Sequence, residues 1–110
     1  MTLIPADLLA RLAANAEAHR AAQRQRAADP DPVPVVKLFS PLSGATWLAT
    51  EIDRDGDTMF GLADLGFGCP EFGYFSLAEI AAVRLPFGLR IEEYPMSPAR
   101  LVGMIAGRTA

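Results

Sequence analysis

Acidic side chains gather where a metal could use them. Asp53, Asp55, Asp57 and Asp64 stand at positions 1, 3, 5 and 12 of a run that starts at Asp53, the spacing at which a calcium loop supplies oxygens. Such a loop needs Gly at its sixth position and helices on both sides. Thr58 stands there instead, and the flanks read as strands. A solvated acidic hairpin turn therefore explains the four residues better. The alternative is a weak Mg²⁺ site on the turn, serving a small single-strand nuclease. Against that enzyme, the chain has no Glu-x-Lys motif and cannot supply two His. His19 and Cys69 form the one Cys/His combination, but neither stands in a nucleophile signature. A buried, inert Cys69 and a solvent-facing His19 are expected. Gly66-Phe67-Gly68 lacks the remaining Gly of a dinucleotide fingerprint, and no Gly-Lys-Ser/Thr follows it. No catalytic residue and no cofactor is expected.

Two groups could contact a partner. Arg20 and Arg24 lie one turn apart on a basic helix that also carries Arg11 and Arg26. A solvated face is the plain account, because Glu17 and Asp29 dilute the charge; a protein or phosphate contact is the functional one. Phe67, Phe72, Tyr74 and Phe75 crowd a Gly-rich loop. Aromatics in a small domain fill the core first, so a core role is expected, with a recognition surface as the alternative. Arg and aromatics together would also suit a passive single-stranded nucleic-acid binder. A net charge of −3, from 13 acids against 10 bases, argues against general affinity for nucleic-acid backbones.

The elements that must position these residues follow from pattern. Residues 5–28 predict a helix: Ile4, Leu8 and Leu12 recur every four residues, widened by Leu9, Ala13 and Ala16. Residues 17–28 carry no large apolar side chain. That half is expected to be unanchored and mobile, and its Ala and Arg face to be the contact for a partner or second copy. Residues 29–34 form a Pro-rich connector, and residues 35–39 a strand. Asp55-Gly56 between two β-prone runs predicts a hairpin. A two-residue turn would set Arg54 opposite Asp57, Ile52 opposite Met59, Glu51 opposite Phe60, Ala49 opposite Leu62 and Leu48 opposite Ala63. Trp47, mid-strand, is expected to be largely buried. Ser76-x-x-Glu79 has capping-box spacing and opens a short helix to about Val83. Leu89–Tyr94 alternates like a strand, and Ser97-Pro98 starts a last helix in the 95–110 tail. The fold class expected is α+β: a long N-terminal helix, an antiparallel sheet of about four strands around a central hairpin, and two short helices.

Length and composition bound the rest. At 110 residues, 51% hydrophobic and 21% charged, the chain reads as one globular domain spanning residues 1–110. Its single cysteine suits a reducing compartment. No basic and apolar leader opens the sequence, and the run from Leu101 to Gly107 is too short to span a bilayer. A cytoplasmic protein that contacts no membrane is expected. Nine of its ten basic residues are Arg, which hints at a GC-rich genome.

Pro34-Val35-Val36-Lys37-Leu38-Phe39, Ala45-Thr46-Trp47-Leu48-Ala49-Thr50-Glu51 and the run from Asp55 through Glu71 resemble an uncharacterised bacterial domain family of unknown function. The resemblance covers roughly residues 5–94. Its members are small proteins often carried on plasmids and integrated mobile elements, so it implies a mobile-element setting and no established activity. The function expected is a non-enzymatic interaction or accessory protein of such an element, acting on a host or element-encoded protein or by self-association. Modulating a host defence or element-maintenance system is one form of that role.

Overall fold

A computed structural model describes residues 3–26, 34–66 and 68–95. Helix α1 runs from Ala6 to Arg24. The Pro5 carbonyl accepts from the Leu8 and Leu9 amides, and Asp7 in the first turn complements the positive end of the helix dipole. The helix stops short of residue 28 because Arg26 adopts a left-handed conformation, φ 52°, which an α-helix cannot continue. Leu8, Leu12 and Ala16 form its buried stripe.

The sheet comprises β1 (Val36–Phe39), β2 (Ala45–Ile52), β3 (Thr58–Leu65), β4 (Glu71–Ser76) and β5 (Glu92–Pro95). All neighbours are antiparallel, in the order β4-β3-β2-β1-β5. Helix α2 (Leu77–Ala82) follows β4 directly, and a 3-10 turn at Pro86–Gly88 leads toward β5. The α+β class is as expected, with five strands where about four were predicted. The added strand is β4, whose neighbouring Gly and Pro residues give it the look of a loop. The final helix expected in the tail, most of the Pro-rich connector and the helix end beyond Arg26 lie outside the described residues.

The central hairpin follows its predicted register only beside the turn. Ile52 opposes Met59 and Glu51 opposes Phe60, but Ala49 then opposes Gly61, Leu48 opposes Leu62 and Trp47 opposes Ala63. Thr50 is the extra residue of a β-bulge, which shifts everything upstream by one. Opposite residues share a face, so the bulge decides which side chains meet α1. Val36, Ala49, Gly61 and Gly73 lie in one row. The row Tyr94, Lys37, Leu48, Leu62 and Phe72 crosses all five strands on the opposite face. The principal core joins Ile4, Leu8 and Leu12 to Val36, Leu38, Ala49, Ile52, Met59, Ile80 and Ile91. Trp47 packs against this core with most of its surface out of water, in keeping with the expectation of a largely buried indole.

Gly61 allows the close approach at the bulge. A Cβ there would lie 1.9 Å from the Leu48 carbonyl oxygen, whereas a Cβ at Gly73 would meet nothing within 4 Å. Gly61→Ala is accordingly predicted to cost about 1–3 kcal/mol, since overpacked backbone must move. Gly73→Ala should stay within about 0.5 kcal/mol of wild type. Urea denaturation of the two variants checks this contrast, and equal effects would contradict it.

Candidate interaction surface

The four aspartates do not converge; each has separate structural work. The Asp53 carboxylate accepts from the Arg54 amide at 2.7 Å and from Arg20 at 3.3 Å. Asp55 closes the turn: one oxygen accepts from the Asp57 and Thr58 amides at 2.8 Å each, the other from the Thr58 hydroxyl at 2.6 Å. Those bonds, the Thr58 hydroxyl first, hold the Asp55 carboxyl below its ordinary range. Asp57 reaches across to α2, accepting from the Ser76 hydroxyl and the Ala78 amide at 2.7 Å each. Ser76 in turn accepts from the Glu79 amide at 3.2 Å, the N-cap that the Ser-x-x-Glu spacing predicted. Asp64 is buried at the far end of β3 and accepts from the Gly66 amide at 2.9 Å. Among the described residues, no group of three or more His, Cys, Asp or Glu could hold a metal ion.

Arg54 does not face Asp57 as the two-residue turn would require. Its guanidinium makes a forked pair with Glu17 of α1, both contacts at 2.9 Å. Glu17 also pairs with Arg20, whose other contact is Asp53. Two further contacts extend this polar seam between α1 and β2. The Asn15 amide donates to the Thr50 carbonyl at 2.9 Å, and the His19 Nδ1 lies 3.3 Å from a Glu51 carboxylate oxygen. The second half of α1 is thus anchored, by polar groups rather than apolar ones, which corrects the expectation of an unattached segment. Arg20 is turned inward to the seam, while Arg24 remains exposed. His19 is half-buried against Glu51 and Cys69 is exposed, the reverse of the expected pair, because the bulge brings β2 under the helix and Cys69 precedes the edge strand.

The aromatic candidates separate by strand parity. Phe75 packs against the core. Phe72 and Tyr74 point the other way, 51% and 76% exposed, and correct the expectation that they fill the core. Phe67 lies outside the described residues. Both exposed rings pack on Phe60 of β3: Phe72 stacks with centroids 6.2 Å apart, and Tyr74 tilts at 5.0 Å. Tyr94, 61% exposed on β5, stands at the other end of the same face. Lys37 lies between, its Nζ 5.3 Å from the Phe39 ring centre.

The backbone of β4 adds a directional feature. The Leu77 amide donates to the Asp57 carbonyl at 2.9 Å. Antiparallel bonding alternates along a ladder, so with Thr58 opposite Ser76 the residues bonded to β3 are Gly73 and Phe75. Phe72 and Tyr74 therefore direct N–H and C=O outward, along an edge with no strand beside it among the described residues.

A family model described as a protein of unknown function (DUF2958) matches residues 3–100. No curated protein and no solved structure shows a match.

The seam makes a pH prediction. Arg54 first, then Arg20, lower the Glu17 carboxyl from 4.5 to about 2. A folded-state value below the unfolded one gives stability that is complete above about pH 4.5 and lost as pH falls toward 2. Glu17→Gln should flatten the fall in thermal midpoint across that window, relative to wild type. Identical slopes would show that the pairing adds nothing to the folded state.

Proposed function

The chain belongs to the DUF2958 family of proteins of unknown function, and on that premise we propose that it is a non-enzymatic interaction protein. Its contact surface is the aromatic face of β3 and β4. The observation that carries this reading is the cluster of Phe60, Phe72 and Tyr74, with two rings more than half exposed. Exposed aromatics packed on a shared third ring hold few rotamers, so a partner can bury large area on them at low ordering cost. The seam supports the assignment by exclusion of another surface: Arg20 is engaged with Glu17 and Asp53, so the basic helix face has one fewer cation to offer. The protein partner would belong to a bacterial host or to a mobile element. The resemblance of the Pro34–Phe39, Ala45–Glu51 and Asp55–Glu71 segments supports that setting, within which modulation of host defence or element maintenance would be the role.

A second reading, single-strand nucleic-acid binding, draws on the same rings, because bases stack on aromatics. Acids on that face, Asp64 and Glu92, oppose a phosphate backbone, and Lys37 is the one cation on its central row.

Capture experiments with the tagged chain in its native host distinguish the two readings. Wild type should retain a defined protein, and Phe72→Ser with Tyr74→Ser should reduce its recovery by about tenfold or more, as loss of aromatic anchors does. Undiminished recovery by the double variant would overturn the assignment. Recovery of single-stranded nucleic acid alone would favour the second reading.

A further inference from the structure

The two edges of the sheet differ. Strand β5 is four residues long, begins with Glu92 and Glu93, and ends at Pro95; a short charged strand with a terminal Pro resists pairing with another chain. Strand β4 is six residues long, reads Glu71-Phe72-Gly73-Tyr74-Phe75-Ser76, and has one charge and no Pro. Its outward N–H and C=O groups, at Phe72 and Tyr74, meet no neighbouring strand among the described residues. Another extended backbone presents donors and acceptors in the matching alternation.

We infer that the neighbour is β4 of a second copy, paired antiparallel about a two-fold axis at Gly73. The strand is self-complementary in that register. Phe72 of each copy opposes Tyr74 of the other, so the outward groups of both residues meet as hydrogen-bonded pairs. Gly73 opposes its own mate at the close, non-hydrogen-bonded position, where Cα atoms come within about 4.5 Å. Glu71 opposes Phe75, so the single charge of each strand never meets its like. Any register that set Glu71 against itself would juxtapose like charges at an interface, which is unfavourable. Isologous pairing consumes both β4 edges at once and leaves two guarded β5 edges, so assembly stops at the dimer.

This inference rests on the proposed interaction role and completes its surface. Phe60, Phe72 and Tyr74 of one copy continue into the same rings of the other, across a sheet that runs through both. The contact area offered to a third protein is then built by two chains.

Sedimentation of the purified full chain tests the pairing without touching the aromatics. Wild type should sediment at twice its 11.8 kDa mass at micromolar to millimolar concentration. Gly73→Glu and Gly73→Lys, each alone, should raise the dissociation constant by about tenfold or more through like-charge contact at the axis. An equimolar mixture of those two variants should restore dimers. In a Cys69→Ser background, Gly73→Cys should oxidise to a disulfide-linked dimer, since the expected Cα separation of about 4.5 Å lies within the range a disulfide spans. A wild-type chain that stays monomeric throughout would overturn the inference, as would a dimer indifferent to both charges and refractory to cross-linking at Gly73. Either outcome leaves the capture experiment with Phe72 and Tyr74 variants to be judged separately.

Discussion

Helix α1 is longer than its apolar stripe. Leu8, Leu12 and Ala16 bury one side of its first three turns, and beyond them nothing large and apolar remains to hold the helix on the sheet. Polar groups do so instead: Asn15 on the Thr50 carbonyl, His19 on Glu51, Glu17 on Arg54 and Arg20 on Asp53. The first of these is possible because the bulge lifts the Thr50 carbonyl toward the helix, and the bulge in turn requires the bare backbone of Gly61 opposite. The β2–β3 turn is the hub of these contacts. Asp53 and Arg54 take α1, Asp55 closes the loop, and Asp57 caps α2. One short acidic segment thereby fixes both helices against the same end of the sheet. The ion pairs are exposed and individually weak; the neutral Asn15 contact and the doubly bonded Asp57 cap are the firmer attachments.

Both helices meet the sheet through one core, which holds the Val36–Ala49 side of the row pattern. The opposite face keeps Leu48 and Leu62 buried at its centre, with Phe72 and Tyr94 exposed toward its two ends. An isolated exposed aromatic needs no explanation. Two exposed rings packed on a third, beside an edge strand whose outward backbone meets no strand among the described residues, are a different matter, because both features ask for the same kind of neighbour. Side chains supply the area and the backbone supplies direction.

Much of this was legible from residue order. The Asp-Gly turn, the register beside it, the Ser76 cap and the first helix all follow from local chemistry that tertiary contacts did not override. The bulge was not legible, because no residue type announces an extra strand position; Gly61 was its one trace, and a lone strand glycine has several causes. Strand β4 was hidden by Gly68, Pro70 and Gly73, which read as loop although Phe72 and Tyr74 alternate as strand residues do. The acidic run was misleading in a more instructive way. Spacing suited to metal ligands is also spacing suited to capping a turn, a helix and an arginine, and only the partners at Ser76, Thr58 and Arg20 distinguish these uses.

The direction in which the amides of β4 point decides whether this edge is open to a second copy. Hydrogen exchange followed residue by residue, at low and high protein concentration, reads that direction without any substitution. In dilute solution the Gly73 and Phe75 amides, bonded to β3, should exchange slowly, and those of Phe72 and Tyr74 should exchange fast. Raising the concentration should slow Phe72 and Tyr74 together and leave Gly73 and Phe75 unchanged. Protection of Phe72 and Tyr74 that does not depend on concentration, or fast exchange at every concentration, would contradict an open edge closed by a second copy.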